Sequence, residues 1–126
     1  MSSEVGNFHV LLVDDDPEIL DSMRVALEAN NYHVTIAHNG SQGLALAERQ
    51  MFDLLILDMM MPKRSGFLVL ETLRQTEKRP TRIIMVTANE GNRHREYAEQ
   101  LGVDEYLRKP FPMDMLLESV KRVMAK

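Results

Sequence analysis

The segment 52–62 constrains the fold more than any other part of this chain. Within it, a run of four apolar residues, 54–57, lies between the carboxylates of Asp53 and Asp58. This run is too short for a helix and predicts a strand that is buried on both faces. Pro62 limits the strand because proline donates no backbone hydrogen bond. Asp58 is therefore expected at the carboxyl end of a buried strand, the edge where open parallel sheets bind their ligands.

Strand and helix patterns alternate five times along the chain. The first helix is expected to begin with Asp16 as its N-cap and Pro17 as its first residue, and Ser41 is expected to cap the second. The fourth helix is predicted over residues 89–101, with Gly102 at its end. The alternation predicts an α/β fold, a parallel sheet with helices on both faces, and right-handed crossovers leave only a few doubly wound forms. The predicted strands cover residues 8–13, 33–37, 53–58, 81–87 and 104–108.

Length and composition indicate one soluble domain. The chain has 126 residues and a net charge of −4, which argues against a nucleic-acid surface. It has no cysteine, so disulfides and zinc–thiolate sites are excluded. We interpret residues 1–7 as a flexible leader and residues 8–126 as a single domain. The sequence shows no secretory signal and no run of membrane-spanning length. A cytoplasmic protein is expected, which fits the lack of cysteine.

Several polar residues follow the predicted strands directly. Asp14 and Asp15 follow the first strand, Asp58 ends the third, Thr87 ends the fourth, and Lys109 follows the fifth. Each has an ordinary structural interpretation when taken alone, as a helix cap, a loop cap, a β-branched strand residue or a surface lysine. In a parallel sheet, however, all of them would meet at one edge, so their conjunction favours a functional site.

The chemistry of this set points to phosphate. Three carboxylates at one sheet edge repel one another and require a compensating cation. Mg2+ suits them because it takes oxygen ligands and often bridges a carboxylate to a phosphate. Lys109 adds a positive charge for an anion, and Thr87 adds a hydrogen-bond donor. Phosphoryl transfer depends mainly on such positioning and charge neutralisation, and aspartate can accept the phosphoryl group.

Four stretches of the chain carry the polar residues at the strand ends: LLVDDDP at 11–17, LILDMMMP at 55–62, IMVTA at 84–88 and YLRKPF at 106–111. These stretches resemble the receiver domain of bacterial two-component response regulators, the CheY-like family. They occur in the family's order and spacing and extend over nearly the whole chain. The resemblance implies a flavodoxin/CheY-like fold, with a five-stranded parallel sheet of order 2-1-3-4-5 and five helices. It also implies a cis peptide between Lys109 and Pro110.

The resemblance also implies a role for each candidate residue. Asp58 would accept a phosphoryl group from a sensor histidine kinase or a histidine phosphotransfer protein. The metal would be Mg2+, with Mn2+ as the alternative ion. The implied metal ligands are Asp14, Asp15, Asp58 and the backbone carbonyl of Met60; the implied phosphate contacts and switch residues are Thr87 (hydroxyl), Lys109 (ammonium) and Tyr106 (aromatic ring).

By the same resemblance, the chain would act in signalling and catalyse only its own phosphorylation and dephosphorylation. The face formed by the fourth helix, fifth strand and fifth helix would switch and control a downstream protein or a fused output domain. The chain itself would bind neither nucleic acid nor membrane, and it would be a monomer or a phosphorylation-dependent dimer.

Other interpretations remain open from the residues. Asp14 and Asp16 also resemble the start of a haloacid-dehalogenase-type phosphatase, in which Asp14 would be the nucleophile. A flavodoxin-like nucleotide binder is disfavoured because no glycine-rich loop follows the first strand. A receiver that serves only as a non-phosphorylated scaffold is the third alternative.

The histidines offer no motif. His9, His33, His38 and His94 do not have the spacing of metal ligands, and we interpret them as structural or surface residues.

Overall fold

The computed structural model describes residues 8–61, 65–76, 82–88 and 92–125. Strands and helices alternate throughout these residues, as the sequence predicts. The elements are β1 (His9–Val13), α1 (Pro17–Ala29), β2 (His33–Ala37), α2 (Gly40–Arg49), β3 (Leu54–Asp58), α3 (Gly66–Thr76), β4 (Arg82–Thr87), α4 (Asn92–Gln100), β5 (Glu105–Arg108) and α5 (Met113–Met124).

The five strands form one sheet in the order β2-β1-β3-β4-β5. Every neighbouring pair is parallel. The predicted doubly wound architecture and strand order are therefore confirmed. β3 occupies the centre and all five of its residues are buried, as its uninterrupted apolar run predicts.

Both faces of the sheet are covered by apolar side chains. One cluster joins alternate strand residues to α1 and α5, through Leu20, Val120 and their neighbours. The other joins the opposite face to α2 and α3, through Leu44 and Leu70. Because side chains alternate across a strand, each buried strand contributes to both clusters. This packing fixes the strands relative to one another, so their carboxyl ends lie at one edge.

The helix starts show which local signals the fold uses. Asp16 caps α1 as predicted, accepting a hydrogen bond from the backbone N–H of Glu18 at 2.9 Å. The predicted cap of α2 is wrong: Asn39, not Ser41, is the N-cap, and its side chain accepts from the N–H of Gln42 at 2.9 Å. Asn39 has an extended backbone, whereas Ser41 already lies inside the helix, where a cap has no role.

Two other local expectations agree with the structure. Gly102 follows α4 with a left-handed φ of 86°, a conformation that glycine adopts without strain. The Lys109–Pro110 peptide is cis. The expectations for residues 1–7, Pro62, Thr81, 89–91 and Lys126 lie outside the described residues, so the division into a leader and one domain stays a prediction.

Gly66 brings the start of α3 against the end of β3. Its N–H donates to the carbonyl of Met59 at 2.9 Å. A Cβ added at Gly66 would lie 2.3 Å from the backbone oxygen of Asp58 and 2.8 Å from the Cα of Met59. Backbone atoms cannot move aside as a side chain can, so only glycine fits between α3 and the residue at the end of β3.

We expect Gly66→Ala to lower the free energy of unfolding by about 1–3 kcal/mol, the usual cost of overpacking. Urea denaturation followed by circular dichroism measures this change. Ser41→Ala, at an exposed helix position, is the control and should stay within about 0.5 kcal/mol of wild type. Equal stability of Gly66→Ala and wild type would contradict the close approach of α3 to β3.

Candidate functional site

The end of β1 places two adjacent aspartates at the carboxyl edge of the sheet. Asp14 is only 1% exposed, whereas Asp15 is exposed. One carboxylate oxygen of Asp14 accepts the backbone N–H of Asp16 at 2.9 Å, and the other accepts the Nζ of Lys109 at 2.9 Å. Both oxygens of Asp14 are thus engaged within the protein.

Asp58 lies beside this pair, at the end of β3. It is 3% exposed. Its Oδ1 accepts the backbone N–H of Met60 at 3.2 Å, and its Oδ2 lies 3.6 Å from the Nζ of Lys109. The Oδ2 contact is an ion pair that is longer than a hydrogen bond. This oxygen is therefore held less tightly than either oxygen of Asp14.

The three aspartates form a cluster that can hold a cation. Asp14, Asp15 and Asp58 each offer one carboxylate oxygen, and these oxygens all lie within 4.8 Å of one another. The sequence prediction that they meet is confirmed. Asp14 and Asp58 are buried and Asp15 is exposed, so the cluster is open to solvent on the side of Asp15. Carboxylate oxygens are the ligands that Mg2+ prefers.

The crowding has an electrostatic cost at Asp58. Burial, followed by the negative charge of Asp14, raises the pKa of the Asp58 carboxyl to about 7. Lys109 and the backbone N–H of Met60 oppose this rise but do not cancel it. A cation bound to the cluster would lower the pKa of Asp58 because it favours the ionised form.

Lys109 connects the ends of three strands. Its backbone N–H donates to the carbonyl of Thr87 at 2.7 Å, and its side chain reaches Asp14 and Asp58. Burial lowers the pKa of its ammonium, but the hydrogen bond and the negative charge of Asp14, with that of Asp58, outweigh burial and raise it. The ammonium therefore stays charged among the carboxylates.

Thr87 and Tyr106 complete the edge on the side of β5. Thr87 is fully buried at the end of β4. The Tyr106 hydroxyl donates to the Sδ of Met59 at 3.7 Å. Burial raises the pKa of Tyr106, although the charge of Arg95 and a hydrogen bond with Thr87 lower it. The hydroxyl end of the tyrosine therefore already points towards the interior of the sheet edge.

Sequence reasoning missed two partners of Tyr106. The guanidinium of Arg95, on α4, lies 5.9 Å from the centre of the tyrosine ring, within the range of a cation–π interaction. Met59 lies beneath the hydroxyl. No local sequence pattern predicts either contact. Arg95 belongs to a helix of mixed charge that is typical of a solvent-exposed face, and the sequence pattern around Met59 indicates only a core position.

Comparisons with known proteins agree with this geometry. Residues 10–121 match the family model described as "Response regulator receiver domain". The chain belongs to the response regulator receiver family.

Among the relatives of this receiver domain is the transcriptional regulatory protein CpxR of Escherichia coli, which is 39% identical over 117 residues. The match covers 93% of this chain and 49% of CpxR, so the chain spans about half the length of this relative.

Solved structures show the same fold. A CheY-like receiver domain protein from Methanospirillum hungatei is 33% identical with a TM-score of 0.89, and the match covers 94% of each chain. The response regulator TrrA of Thermotoga maritima, solved in complex with Mg2+-BeF, is 34% identical with a TM-score of 0.82, covering 92% of this chain and 98% of TrrA.

No helix among the described residues is long and apolar enough to cross a bilayer.

The raised pKa of Asp58 predicts how stability depends on pH without metal. Between its ordinary value of 3.8 and about 7, the folded state keeps a proton that the unfolded state has lost. Stability from this group is therefore full below pH 3.8 and is lost as the pH rises to about 7. Asp58→Asn removes the effect and should stabilise the EDTA-treated protein at pH 8, by up to about 4 kcal/mol.

Urea denaturation of wild type and Asp58→Asn at pH 5, 6, 7 and 8 measures this difference. The advantage of the variant should change little between pH 8 and pH 7 and should then shrink as the pH falls to 5. A difference that is the same at every pH would show that the ionisation of Asp58 is not disfavoured in the folded state.

Proposed function

We propose that Asp58 accepts a phosphoryl group from a phosphohistidine of a sensor kinase or phosphotransfer protein. The observation that carries this proposal is the cluster of Asp14, Asp15 and Asp58, in which the Lys109 ammonium contacts the carboxylates of Asp14 and Asp58. Membership in the receiver family supports the same role.

The residues present fit a bound Mg2+. The donor set consists of carboxylate oxygens close enough to share one ion. Burial and then the charge of Asp14 raise the pKa of Asp58, and a bound cation would oppose that rise. Asp14 and Asp15 would hold the metal, with Asp58 and the backbone carbonyl of Met60, and Mn2+ is the alternative ion. When bound, the metal supplies a positive charge that neutralises the phosphoryl oxygens.

In the transfer, an oxygen of Asp58 attacks the phosphorus of the phosphohistidine. A P–O bond forms as the P–N bond breaks, and the imidazole nitrogen of the donor leaves with the bonding electron pair. Asp58 Oδ2 is better placed to attack than Asp14 because Asp14 uses both oxygens in hydrogen bonds at 2.9 Å. Lys109 then pairs with the phosphoryl oxygens, for which a charged ammonium is needed.

Phosphorylation would act as a switch through Thr87 and Tyr106. The aspartyl phosphate adds a charge of about −1.5 to −2 and three acceptor oxygens. These oxygens compete for the Thr87 hydroxyl, which is now hydrogen-bonded with Tyr106. Because Tyr106 also contacts Arg95 on α4, a change at Thr87 reaches the α4-β5-α5 face. A local charge would in this way bias a two-state element.

The wider role follows from this switch. The α4-β5-α5 face would control a downstream protein or a fused output domain. The chain would act in the cytoplasm as a monomer or a phosphorylation-dependent dimer, without binding membrane or nucleic acid itself. Its catalysis would be limited to its own phosphorylation and dephosphorylation.

Intact mass spectrometry after incubation with acetyl phosphate and Mg2+ tests the acceptor. We expect one hydroxylamine-labile phosphoryl adduct that does not form when EDTA is present during the incubation and is absent in Asp58→Asn. Asp53→Asn is the matched control, because Asp53 precedes the same strand at its opposite end, and it should be phosphorylated like wild type.

Other outcomes separate the alternatives. An adduct that survives Asp58→Asn but is lost in Asp14→Asn would support the phosphatase interpretation. No adduct from either acetyl phosphate or a phosphohistidine donor would support a scaffold that is not phosphorylated.

A second experiment tests the switch. Thr87→Ala should still form the adduct, because Asp58 and Asp14 are intact, but the shift of backbone amide signals in α4 and β5 on phosphorylation should be largely lost. Thr87→Ser keeps a hydroxyl and should retain that shift. NMR spectra with and without acetyl phosphate measure it, and an unchanged response in Thr87→Ala would exclude the hydroxyl as the link.

A further inference from the structure

Two histidines lie side by side at the end of the sheet opposite the carboxylate cluster. His9 begins β1, His33 begins β2, and the parallel register pairs them directly. Their ring centres are 5.0 Å apart and the ring planes meet at 76°. Both residues are exposed. The interpretation of these histidines as structural or surface residues therefore overlooked a pair that the fold assembles.

The pairing places both imidazoles on one face of the sheet. Residues opposite each other on neighbouring strands point to the same side, and side chains alternate along each strand. His9 thus shares its side with Leu11, and His33 shares it with Ala37, both of which belong to the same apolar cluster. The two rings continue this face beyond the end of its core, where water replaces apolar neighbours.

The spacing of the rings matches that of two imidazoles bound to one metal ion. A nitrogen–metal bond of about 2.0–2.1 Å and a tetrahedral angle place the two ring centres roughly 5 Å apart. Rotation of exposed rings about their own side-chain bonds is enough to turn a nitrogen of each towards a common point. We propose that His9 and His33 chelate one divalent transition-metal ion such as Zn2+, with water in the other coordination positions.

The chemistry of this site differs from that of the carboxylate cluster. Imidazole nitrogens suit Zn2+, Ni2+ and Cu2+, whereas Mg2+ takes oxygen ligands. Asp53 adds a negative charge nearby, because its Oδ2 accepts the backbone N–H of His9 at 2.8 Å. His9 and Asp14 are five residues apart on one extended segment, or about 16 Å. The two sites therefore bind different ions independently, and the histidine site does not depend on the proposed phosphoryl transfer.

A shared ion would link β1 to β2, which is the edge strand of the sheet. The two histidines are far apart in the sequence, so the unfolded chain does not present them together. Binding to the folded state alone raises its stability by mass action. Zn2+ should therefore raise the melting temperature of wild type.

Calorimetric titration of the EDTA-stripped chain, without a histidine tag, tests the site. Zn2+ is added in the presence of excess Mg2+, so that Mg2+ competes for the carboxylate cluster. We expect one saturable site, with the imidazole NMR signals of His9 and His33 shifting together. His9→Gln and His33→Gln should each weaken binding at least about tenfold. Exposed His38 provides the matched control, and His38→Gln should bind like wild type.

Three results would overturn the proposal. The first is no saturation up to about 1 mM Zn2+. The second is equal binding by wild type and both His9→Gln and His33→Gln, with amide NMR spectra showing that the variants are folded. The third is loss of binding in Asp58→Asn, which would place the ion on the carboxylate cluster instead.

Discussion

The ammonium of Lys109 offsets a repulsion that the fold itself creates. The parallel sheet brings Asp14 and Asp58 to one edge and buries both. Like charges repel more strongly in the protein interior than in water. Lys109 contacts both carboxylates at 2.9 and 3.6 Å. One cation cannot neutralise three carboxylates, and the pKa of Asp58 stays raised, at about 7. The edge therefore keeps an excess of negative charge that favours a divalent cation.

This arrangement stores an energetic cost at the functional site and relies on the rest of the sheet for stability. The central strand is buried along its whole length, and apolar clusters cover both faces. Such a core tolerates an unfavourable charge at one edge of the sheet. Carboxylates with perturbed pKa values, such as Asp58, are often found at functional sites. Gly66 also packs closely against the backbone of Asp58 at the same edge.

The two ends of the sheet offer different ligands for different physical reasons. At the carboxyl end, the ends of the strands and the loops that follow them bring together the carboxylate oxygens of Asp14, Asp15 and Asp58. At the amino end, in-register pairing of β1 with β2 sets His9 beside His33. Hard oxygen donors select Mg2+, and imidazoles select transition metals. The two proposed metal sites would thus be separated by the length of one strand.

The sequence by itself determined the order of the strands and helices, the Asp16 cap and the collection of charged residues at the carboxyl edge, because hydrophobic period and cap chemistry are encoded within a few residues. The tertiary structure decided that Asn39 caps α2, that Lys109 lies closer to Asp14 than to Asp58, and that Tyr106 contacts both Met59 and Arg95. It also decided that His9 meets His33. Apart from the cap, these contacts join residues distant in sequence, so they depend on strand register and helix placement, which no local pattern specifies.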